Sequence, residues 1–313
     1  MSLKIIYRGH LTDCNYSCAY CPFAKEKNSR DMQALDKKDL DRFVAWVEQN
    51  SHADYPMEVF ITPYGEALVR KWYQEAVIRL SHLPHVTKVA AQTNLAWNTQ
   101  WLSRCNTQTT ALWTTYHPDF VTEERFASKC DELTALHIRH SVGVVGLKQH
   151  FPQITSLRQR LPQSTYMWVN AYKREKDYYS EDDIAFLEDI DHLFRLNLPW
   201  YESMGKACKA GDEVVSIEGS GDLYRCHFIK TRKGNIFTDP LASMLKKEAC
   251  TKATCHCHIG YIHLDDMKSH EVYGSGLLER IPVRFERSTK VPEWALRNTP
   301  REIPCTTFWP ESP

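Results

Sequence analysis

The sequence lacks any apolar run of the roughly 18 residues that a membrane-spanning helix needs. It also lacks a signal peptide, because Arg8 appears before any long apolar segment has formed. Excess charge is absent as well: 39 Lys and Arg balance 39 Asp and Glu, which disfavours nucleic acid and anionic membranes as partners. With 42% hydrophobic and 25% charged residues, the chain is predicted to be a cytoplasmic, soluble, globular protein.

Cysteine is what the sequence has in excess, with 11 residues in 313. Structural disulfides are rare in the cytosol, and an odd number does not suit a disulfide framework. The cysteines are clustered: three stand at positions 14, 18 and 21, and five at 208, 226, 250, 255 and 257. Cys105, Cys130 and Cys305 stand alone, and we expect buried thiols at the first two. Clustering of this kind indicates metal bound by thiolates.

The first 195 residues alternate short apolar segments with amphipathic ones. Strands are predicted at Leu3–Tyr7, Met57–Thr62, Lys88–Thr93, Ala111–Tyr116, Ile138–Val145 and Tyr166–Ala171. Helical segments are predicted near 68–82, 97–104, 122–135, 149–160 and 180–195, and a further helix begins at Asp36-x-x-Asp39. Six strand–helix units predict an α/β fold, a partial (β/α)6 barrel of the TIM type. A doubly wound open sheet is the alternative.

The character of the sequence changes after Pro199. Val214–Ile217, a turn, and Leu223–Phe228 predict a β-hairpin inside the cysteine-rich segment. The last 23 residues contain five prolines and predict an extended tail. We therefore predict a barrel over 1–198, a small cysteine-rich domain over 199–290 and a tail over 291–313.

The first cysteine cluster follows the first strand directly, at the face where barrel active sites assemble. Three thiolates from Cys14, Cys18 and Cys21 can hold three irons of a cubane cluster and leave the fourth iron open to a ligand. A structural zinc site is the alternative, and it needs a fourth ligand, which His10 could supply.

This CxxxCxxC spacing, with the aromatic Tyr20, resembles the motif of radical S-adenosylmethionine (SAM, AdoMet) enzymes. Gly65-Glu66, after the second strand, resembles the family's GGE segment. The resemblance implies a [4Fe–4S] cluster at these cysteines and SAM bound at its open iron. It implies cofactor contacts from Tyr20, Gly65 and Glu66, and from two residues on later strands, Asn94 and Ser141.

The hairpin cysteines, in a C-x12-G-x4-C arrangement from Cys208 to Cys226, resemble the SPASM and twitch auxiliary-cluster domains. The ending CxxxxCxCHIGYxH, from Cys250 to His263, resembles a bacterial radical SAM family. A full SPASM domain has more cysteines, so the resemblance implies one auxiliary [4Fe–4S] cluster, as in twitch domains. Its preferred ligands are Cys208, Cys226, Cys255 and Cys257, with Cys250 as the alternative. A structural zinc ribbon is the other interpretation.

Acid–base candidates end the fourth strand, at Tyr116 and His117, with Tyr172 and Lys173 after the sixth as alternatives. The resemblance implies hydrogen abstraction by a 5′-deoxyadenosyl radical and net two-electron oxidation, on a peptide or protein residue. A dehydrogenase or rearrangement enzyme acting on a small molecule is the alternative. Expected partners are an electron donor such as flavodoxin or ferredoxin and a separate substrate-recognition protein. An iron–sulfur electron-transfer protein without SAM chemistry is the alternative from another class.

Overall fold

Six strands alternate with helical segments over the first 190 residues. The computed structural model describes residues 2–24, 26–51 and 56–285. The strands are β1 (Leu3–Tyr7), β2 (Met57–Ile61), β3 (Val86–Thr93), β4 (Thr110–Thr115), β5 (Arg139–Val145) and β6 (Met167–Asn170). The helices are α1 (Arg30–Gln49), α2 (Lys71–Ser81), α3 (Glu123–Ala135), α4 (Phe151–Arg160) and α5 (Glu181–Ile190). A 3₁₀ helix, Thr99–Arg104, joins β3 to β4. The predicted alternation is confirmed.

The strands form one mostly parallel sheet that continues into the cysteine-rich segment. Strands β1 to β6 pair in chain order, all in parallel, as right-handed strand–helix units require. On the other side of β1 lies β8 (Val214–Ile217), also parallel, followed by the antiparallel strands β9 (Asp222–Tyr224) and β10 (Arg232–Asn235). The predicted hairpin is confirmed, with a shorter second strand. Among the described residues the sheet stays open between β10 and β6, so the fold is a partial α/β barrel.

The remaining elements are short and lie around the second group of cysteines. Strand β7 (Tyr201–Glu202) pairs with β11 (Thr254–Cys255). Three short α-helices also lie in this segment: α6 (Leu241–Met244), α7 (His258–Tyr261) and α8 (Ser269–Tyr273). Because β8 pairs with β1, residues after 199 share a sheet with the barrel, and the domain boundary at 198 stays a prediction.

Successive side chains of the parallel strands alternate between two cores, because side chains on a strand point to opposite faces. Ile5 and Tyr7 of β1 pack against the helices, whereas Ile6 between them faces the inside of the partial barrel. Both faces are buried, which is why the strands read as continuous apolar runs. The inner face is covered by residues of the cysteine-rich segment, including Tyr201, Tyr261 and Leu277.

The first helix begins earlier than predicted. Its N-cap is Ser29, whose hydroxyl accepts a hydrogen bond from the Met32 N–H, and the helix starts at Arg30. Asp36, predicted to mark a helix start, lies in the second turn and is buried. Its carboxylate accepts hydrogen bonds from the His10 N–H (2.9 Å), Trp72 Nε1 (2.9 Å) and the Tyr73 hydroxyl (2.9 Å). Asp36 therefore joins α1 and α2 to the chain leaving β1. The predicted start at Ser180 is confirmed, with a capping box to Asp183.

Among the described residues, no helix has the length and apolar character needed to cross a bilayer. The predicted tail over 291–313, with Cys305, lies outside the described residues.

Replacing Asp36 by alanine is expected to lower the free energy of unfolding by about 3 kcal/mol, because one buried donor and two partly buried donors lose their acceptor. Urea unfolding of the purified protein measures this. The control is Asp41→Ala on the same helix, which removes an exposed ion pair with Lys37 and should cost less than about 1 kcal/mol. Equal losses in the two variants would contradict the role given to Asp36.

Candidate metal centres

The first cysteine loop is held by the segment that follows β2. Backbone N–H groups of Tyr64 and Gly65 donate to the Leu11 carbonyl (3.1 and 3.2 Å), and that of Glu66 donates to the Asp13 carbonyl (3.1 Å). Because β1 and β2 are parallel neighbours, the segments after them lie at the same edge of the sheet. The chain entering Cys14 is thus fixed by main-chain hydrogen bonds.

Gly65 is the closest point of this contact. A Cβ at position 65 would lie 1.8 Å from the Asp13 carbonyl oxygen, a backbone atom one residue before Cys14. No side chain fits there unless the cysteine loop moves. The glycine predicted from the GGE-like segment is therefore required by the packing of the loop.

Glu66 is buried and connects the ends of β2 and β3. Its carboxylate accepts hydrogen bonds from the Thr93 hydroxyl (2.7 Å), the Asn94 N–H (2.6 Å) and the Leu68 N–H (3.1 Å). Burial raises the pKa of this carboxyl to about 7, although the hydrogen bonds to Thr93 and Asn94 oppose the shift. Both oxygens are used by the protein itself, so a direct bond from Glu66 to a ligand stays a prediction.

Asn94 reaches the cysteine loop from the end of β3. Its side-chain Nδ2 lies 3.0 Å from Asn15 Oδ1 and 3.8 Å from Cys14 Sγ. The side-chain oxygen of Asn94, Oδ1, accepts a hydrogen bond from the Ala96 N–H (3.0 Å). This bond fixes the orientation of the Asn94 amide group. Of the predicted cofactor contacts, Gly65, Glu66 and Asn94 are thus brought to one place beside Cys14.

Cys14, Cys18 and Cys21 lie close enough for their charges to interact. Burial raises the pKa of Cys14 to about 11 and also raises that of Cys18. Thiols with such values stay protonated until a metal displaces the proton. The all-sulfur donor set, with three ligands in eight residues, fits an iron–sulfur cluster with one open iron. In the described part of the chain, no three His, Cys, Asp or Glu side chains are arranged to hold a single metal ion.

His117 lies against Cys18, at the end of β4. Its Nδ1 is 3.2 Å from Cys18 Sγ and 2.8 Å from the Tyr20 hydroxyl, and its ring is parallel to that of Tyr20. Burial lowers the pKa of His117 to about 4, so the ring is neutral at pH 7. Two predicted residues, Tyr20 and His117, therefore form one unit with a predicted iron ligand, which suits a positioning role.

Two other predicted residues lie away from this loop. Tyr116 is fully buried between the sheet and α3, with its ring centroid 5.2 Å from that of Phe126. Ser141 is fully buried on the inner face, where its hydroxyl donates to the Glu279 carbonyl (2.6 Å) and accepts from Trp168 Nε1 (3.0 Å). The acid–base role of Tyr116 and the cofactor role of Ser141 remain predictions that this geometry does not favour.

The five cysteines of the second group lie close enough for the charge of Cys255 to interact with those of the other four. Among the causes that raise the pKa of Cys255 are the charges of the other four, and the largest is its burial. The members are Cys208, Cys226, Cys250, Cys255 and Cys257. Their sulfur-rich donor set fits a second iron–sulfur cluster, as predicted from the hairpin spacing.

Sequence reasoning missed two cations, Arg8 and Arg280. The Arg8 guanidinium is buried, donates through Nη1 to the Thr62 carbonyl (2.8 Å), and lies 4.8 Å from the Tyr64 ring centroid. Arg280 is buried inside the partial barrel, 4.4 Å from the Trp168 ring centroid. A charged residue directly after an apolar strand was the available signal for Arg8. Nothing in the local pattern marked Arg280.

Known structures share this arrangement of elements. Native anSMEcpe with bound AdoMet and Cp18Cys peptide matches with a TM-score of 0.54 and 13% identity, over 89% of this chain and 88% of that one. Native anSMEcpe with bound AdoMet alone matches with a TM-score of 0.52 and 12% identity, over 85% and 84%. The chain therefore shares the α/β fold of these AdoMet-bound structures. Neither a family model nor a curated protein matches the sequence.

Replacing Gly65 by alanine is expected to destabilise the metal-free protein by about 3 kcal/mol or more, because the new methyl group overlaps the Asp13 carbonyl. Urea unfolding under reducing conditions is the measurement. Gly205→Ala is the control: nothing lies within 4 Å of its added Cβ, and only its φ of +74° is unfavourable, at about 1 kcal/mol. A Gly65 variant as stable as the Gly205 variant would mean that the loop is not held at this contact.

Proposed function

We propose that this protein is a radical SAM enzyme with its SAM-binding [4Fe–4S] cluster on Cys14, Cys18 and Cys21. The observation that carries the proposal is the contact between the cysteine loop and the Gly65–Glu66 segment, on a fold that binds AdoMet in its structural neighbours. When bound, the cluster and SAM would supply a 5′-deoxyadenosyl radical that abstracts hydrogen from a C–H bond. The cofactors supply the chemistry, and the protein supplies binding, orientation and exclusion of water.

The roles of the protein's own residues follow from where they lie. The Gly65 backbone, free of any side chain, borders the loop at Cys14, and the Asn94 amide is held beside the same sulfur. The Glu66 carboxylate fixes Asn94 by accepting a hydrogen bond from the Asn94 backbone N–H. Tyr20 and His117 hold the Cys18 side of the loop. These groups would position SAM and the cluster.

The second cysteine group would hold one auxiliary [4Fe–4S] cluster that accepts an electron from the substrate. Cys208, Cys226, Cys255 and Cys257, with Cys250 as the alternative, would hold this cluster. It would supply the acceptor for the second electron of a net two-electron oxidation, after hydrogen abstraction, with one proton released to solvent. An electron donor such as flavodoxin or ferredoxin would reduce the first cluster.

A peptide or protein residue is the substrate that we favour. anSMEcpe, which shares this fold at 13% identity, binds a Cp18Cys peptide together with AdoMet. A separate substrate-recognition protein would deliver the peptide, in the cytoplasm. A small metabolite, dehydrogenated or rearranged, is the alternative substrate, and simple electron transfer is the alternative function.

Cys18→Ala is expected to abolish SAM cleavage and to remove about four of about eight irons per chain, since each cluster holds four. The measurements are iron and sulfide content after anaerobic reconstitution, and 5′-deoxyadenosine formed with dithionite and SAM. Cys105→Ser, at a buried cysteine outside both groups, should retain both. Iron without SAM cleavage in the parent would favour the electron-transfer function, and zinc without iron would contradict both.

Peptide substrates are distinguished from metabolites by what stimulates 5′-deoxyadenosine formation. We expect stimulation by members of a synthetic library of cysteine-containing peptides, each product having lost two hydrogen atoms by mass spectrometry. The matched control replaces the reacting residue by alanine in the same peptide and should give neither signal. Stimulation by a fraction of cellular small molecules alone would contradict the peptide assignment.

A further inference from the structure

Arg8 is a buried cation whose hydrogen-bonding capacity is largely unused. It directly follows β1, and 7% of its surface is exposed. Among the described residues, its acceptor is the Thr62 carbonyl, which receives a hydrogen bond from Nη1 (2.8 Å). Its Nε is buried without a partner in that part of the chain, and Nη2 has no acceptor there either. Because a buried guanidinium without a counter-ion is costly, an anionic ligand is expected to stabilise it.

The two unused donor groups lie on one edge of the guanidinium. In arginine, the N–H of Nε and one N–H of Nη2 point in the same direction, and Nη1 lies on the opposite side. This edge matches the two oxygens of a carboxylate, which it binds through parallel hydrogen bonds. Thr62 occupies Nη1, and the Tyr64 ring centroid lies 4.8 Å from the guanidinium carbon. The group is therefore held in place by contacts that leave the carboxylate-binding edge unused.

The acidic and sulfur groups near Arg8 do not fill this edge. Glu218, which follows β8, lies close enough for its charge to act on Arg8 but forms no ion pair with it in the described part of the chain. The charges of Cys226 and Cys257 also act on Arg8. A thiolate bound to iron would lower the cost of burying the guanidinium, but it offers one acceptor atom and does not match two parallel N–H groups.

Arg8 belongs to a row of polar side chains on the inner face of the sheet. The residue two positions before each member is part of the inner core, and alternation along the strands places the members on that same face. The row consists of Arg8, Thr62 and Gln92, on or directly after β1, β2 and β3. The Thr62 hydroxyl donates to Gln92 Oε1 (2.8 Å), and Gln92 Nε2 has no hydrogen-bond partner among the described residues. Gln92 thus adds another unused donor beside Thr62.

The inner face is accessible at the carboxyl ends of the strands. The last inner-facing residues of β3 to β6 are half-buried or exposed, whereas the residues two positions earlier are buried. The accessible positions are Gln92, Thr115, Val145 and Asn170. The buried positions before them are Ala90, Trp113, Gly143 and Trp168. A ligand can therefore approach the polar row from the edge of the sheet at which the first cysteine loop lies.

We propose that Arg8, together with Gln92, binds a carboxylate group of the substrate at the carboxyl ends of β1 to β3. The proposal rests on the proposed function, because that function supplies the substrate, and it adds a recognition site to it. The guanidinium edge would donate to both carboxylate oxygens, and Gln92 Nε2 would donate to one of them. A peptide carries such a group at its C-terminus or on an Asp or Glu side chain. SAM also carries a carboxylate, and the experiments separate these sources.

The first experiment uses acetate as the probe, on the full chain reconstituted anaerobically with iron and sulfide. In about 100 mM sodium acetate, we expect Tm to exceed the value in sodium chloride of equal ionic strength by about 2 °C, with saturation. Arg8→Gln and Gln92→Glu should remove this difference, because the first deletes the guanidinium and the second places a negative charge beside it. Arg104→Gln, which breaks an exposed ion pair with Glu75, is the matched control and should retain it.

An equal Tm of the parent in acetate and chloride overturns the proposal, and so does an acetate shift that persists in Arg8→Gln. If Arg8→Gln fails to fold or to bind iron, Gln92→Glu decides, because persistence of the shift in that variant has the same meaning. Acetate stabilisation without any SAM cleavage would overturn the proposed function and leave the carboxylate site in place.

Acetate and SAM together identify the source of the carboxylate. If the site belongs to the substrate, the shifts caused by acetate and by SAM add in the parent, because the two ligands occupy different places. If saturating SAM abolishes the acetate shift, the site takes the carboxylate of SAM itself, and the assignment to the substrate is overturned.

Peptide pairs then test recognition during turnover. A peptide that stimulates 5′-deoxyadenosine formation is compared with its C-terminal amide, and with forms in which each Asp or Glu is replaced by Asn or Gln. We expect one of these changes to raise KM about tenfold in the parent and less than about twofold in Arg8→Gln. A KM that no change alters in the parent, or that changes equally in Arg8→Gln, overturns the proposal.

Discussion

The contact of Gly65 with the main chain at Asp13 is the constraint on which the rest of the site depends. Parallel strands bring the chain after β1 and the chain after β2 to one edge of the sheet. There the two segments form three backbone hydrogen bonds and approach so closely that a side chain is excluded. The cysteine loop is therefore positioned by the fold itself. The Cys14 sulfur needs no metal to be brought beside Asn94, because the Glu66 carboxylate fixes Asn94 by accepting a hydrogen bond from its backbone N–H.

Buried charge is the second feature that joins the two cysteine groups. Arg8 lies after β1, close to the first cysteine loop in sequence, yet the sulfurs that it influences are Cys226 and Cys257. Among the described residues, its hydrogen-bond acceptor is the uncharged Thr62 carbonyl, so its burial is costly unless an anion lies nearby. Iron-bound thiolates of the proposed second cluster would supply such an anion. Arg8 would then stabilise the charge of the second group while lying at the edge of the first.

The strands and the cysteine groups could be predicted from the sequence because both depend on local patterns. Apolar runs buried on two faces mark parallel strands, and ligand spacing marks a metal loop. The predicted start of α1 is wrong because the pattern places Asp36 in the first turn of the helix, whereas Asp36 lies in the second turn. The Asp36 carboxylate instead accepts hydrogen bonds from Trp72 and Tyr73, which are distant in sequence. A local pattern does not contain that information. Ser141 and Arg225 show the same limit, since the Glu279 and Ala210 carbonyls that they contact lie on other segments of the chain.

The inner face of the sheet determines where a substrate could lie. Near its amino end, Lys88 of β3 forms a buried ion pair with Glu279 (2.6 Å), and the Ser141 hydroxyl bonds to the Glu279 backbone. Trp113 and Trp168 cover the middle, with Arg280 against their rings. Among the described residues, Glu279 and Arg280 of the C-terminal segment therefore cover the amino end and the middle of this inner face.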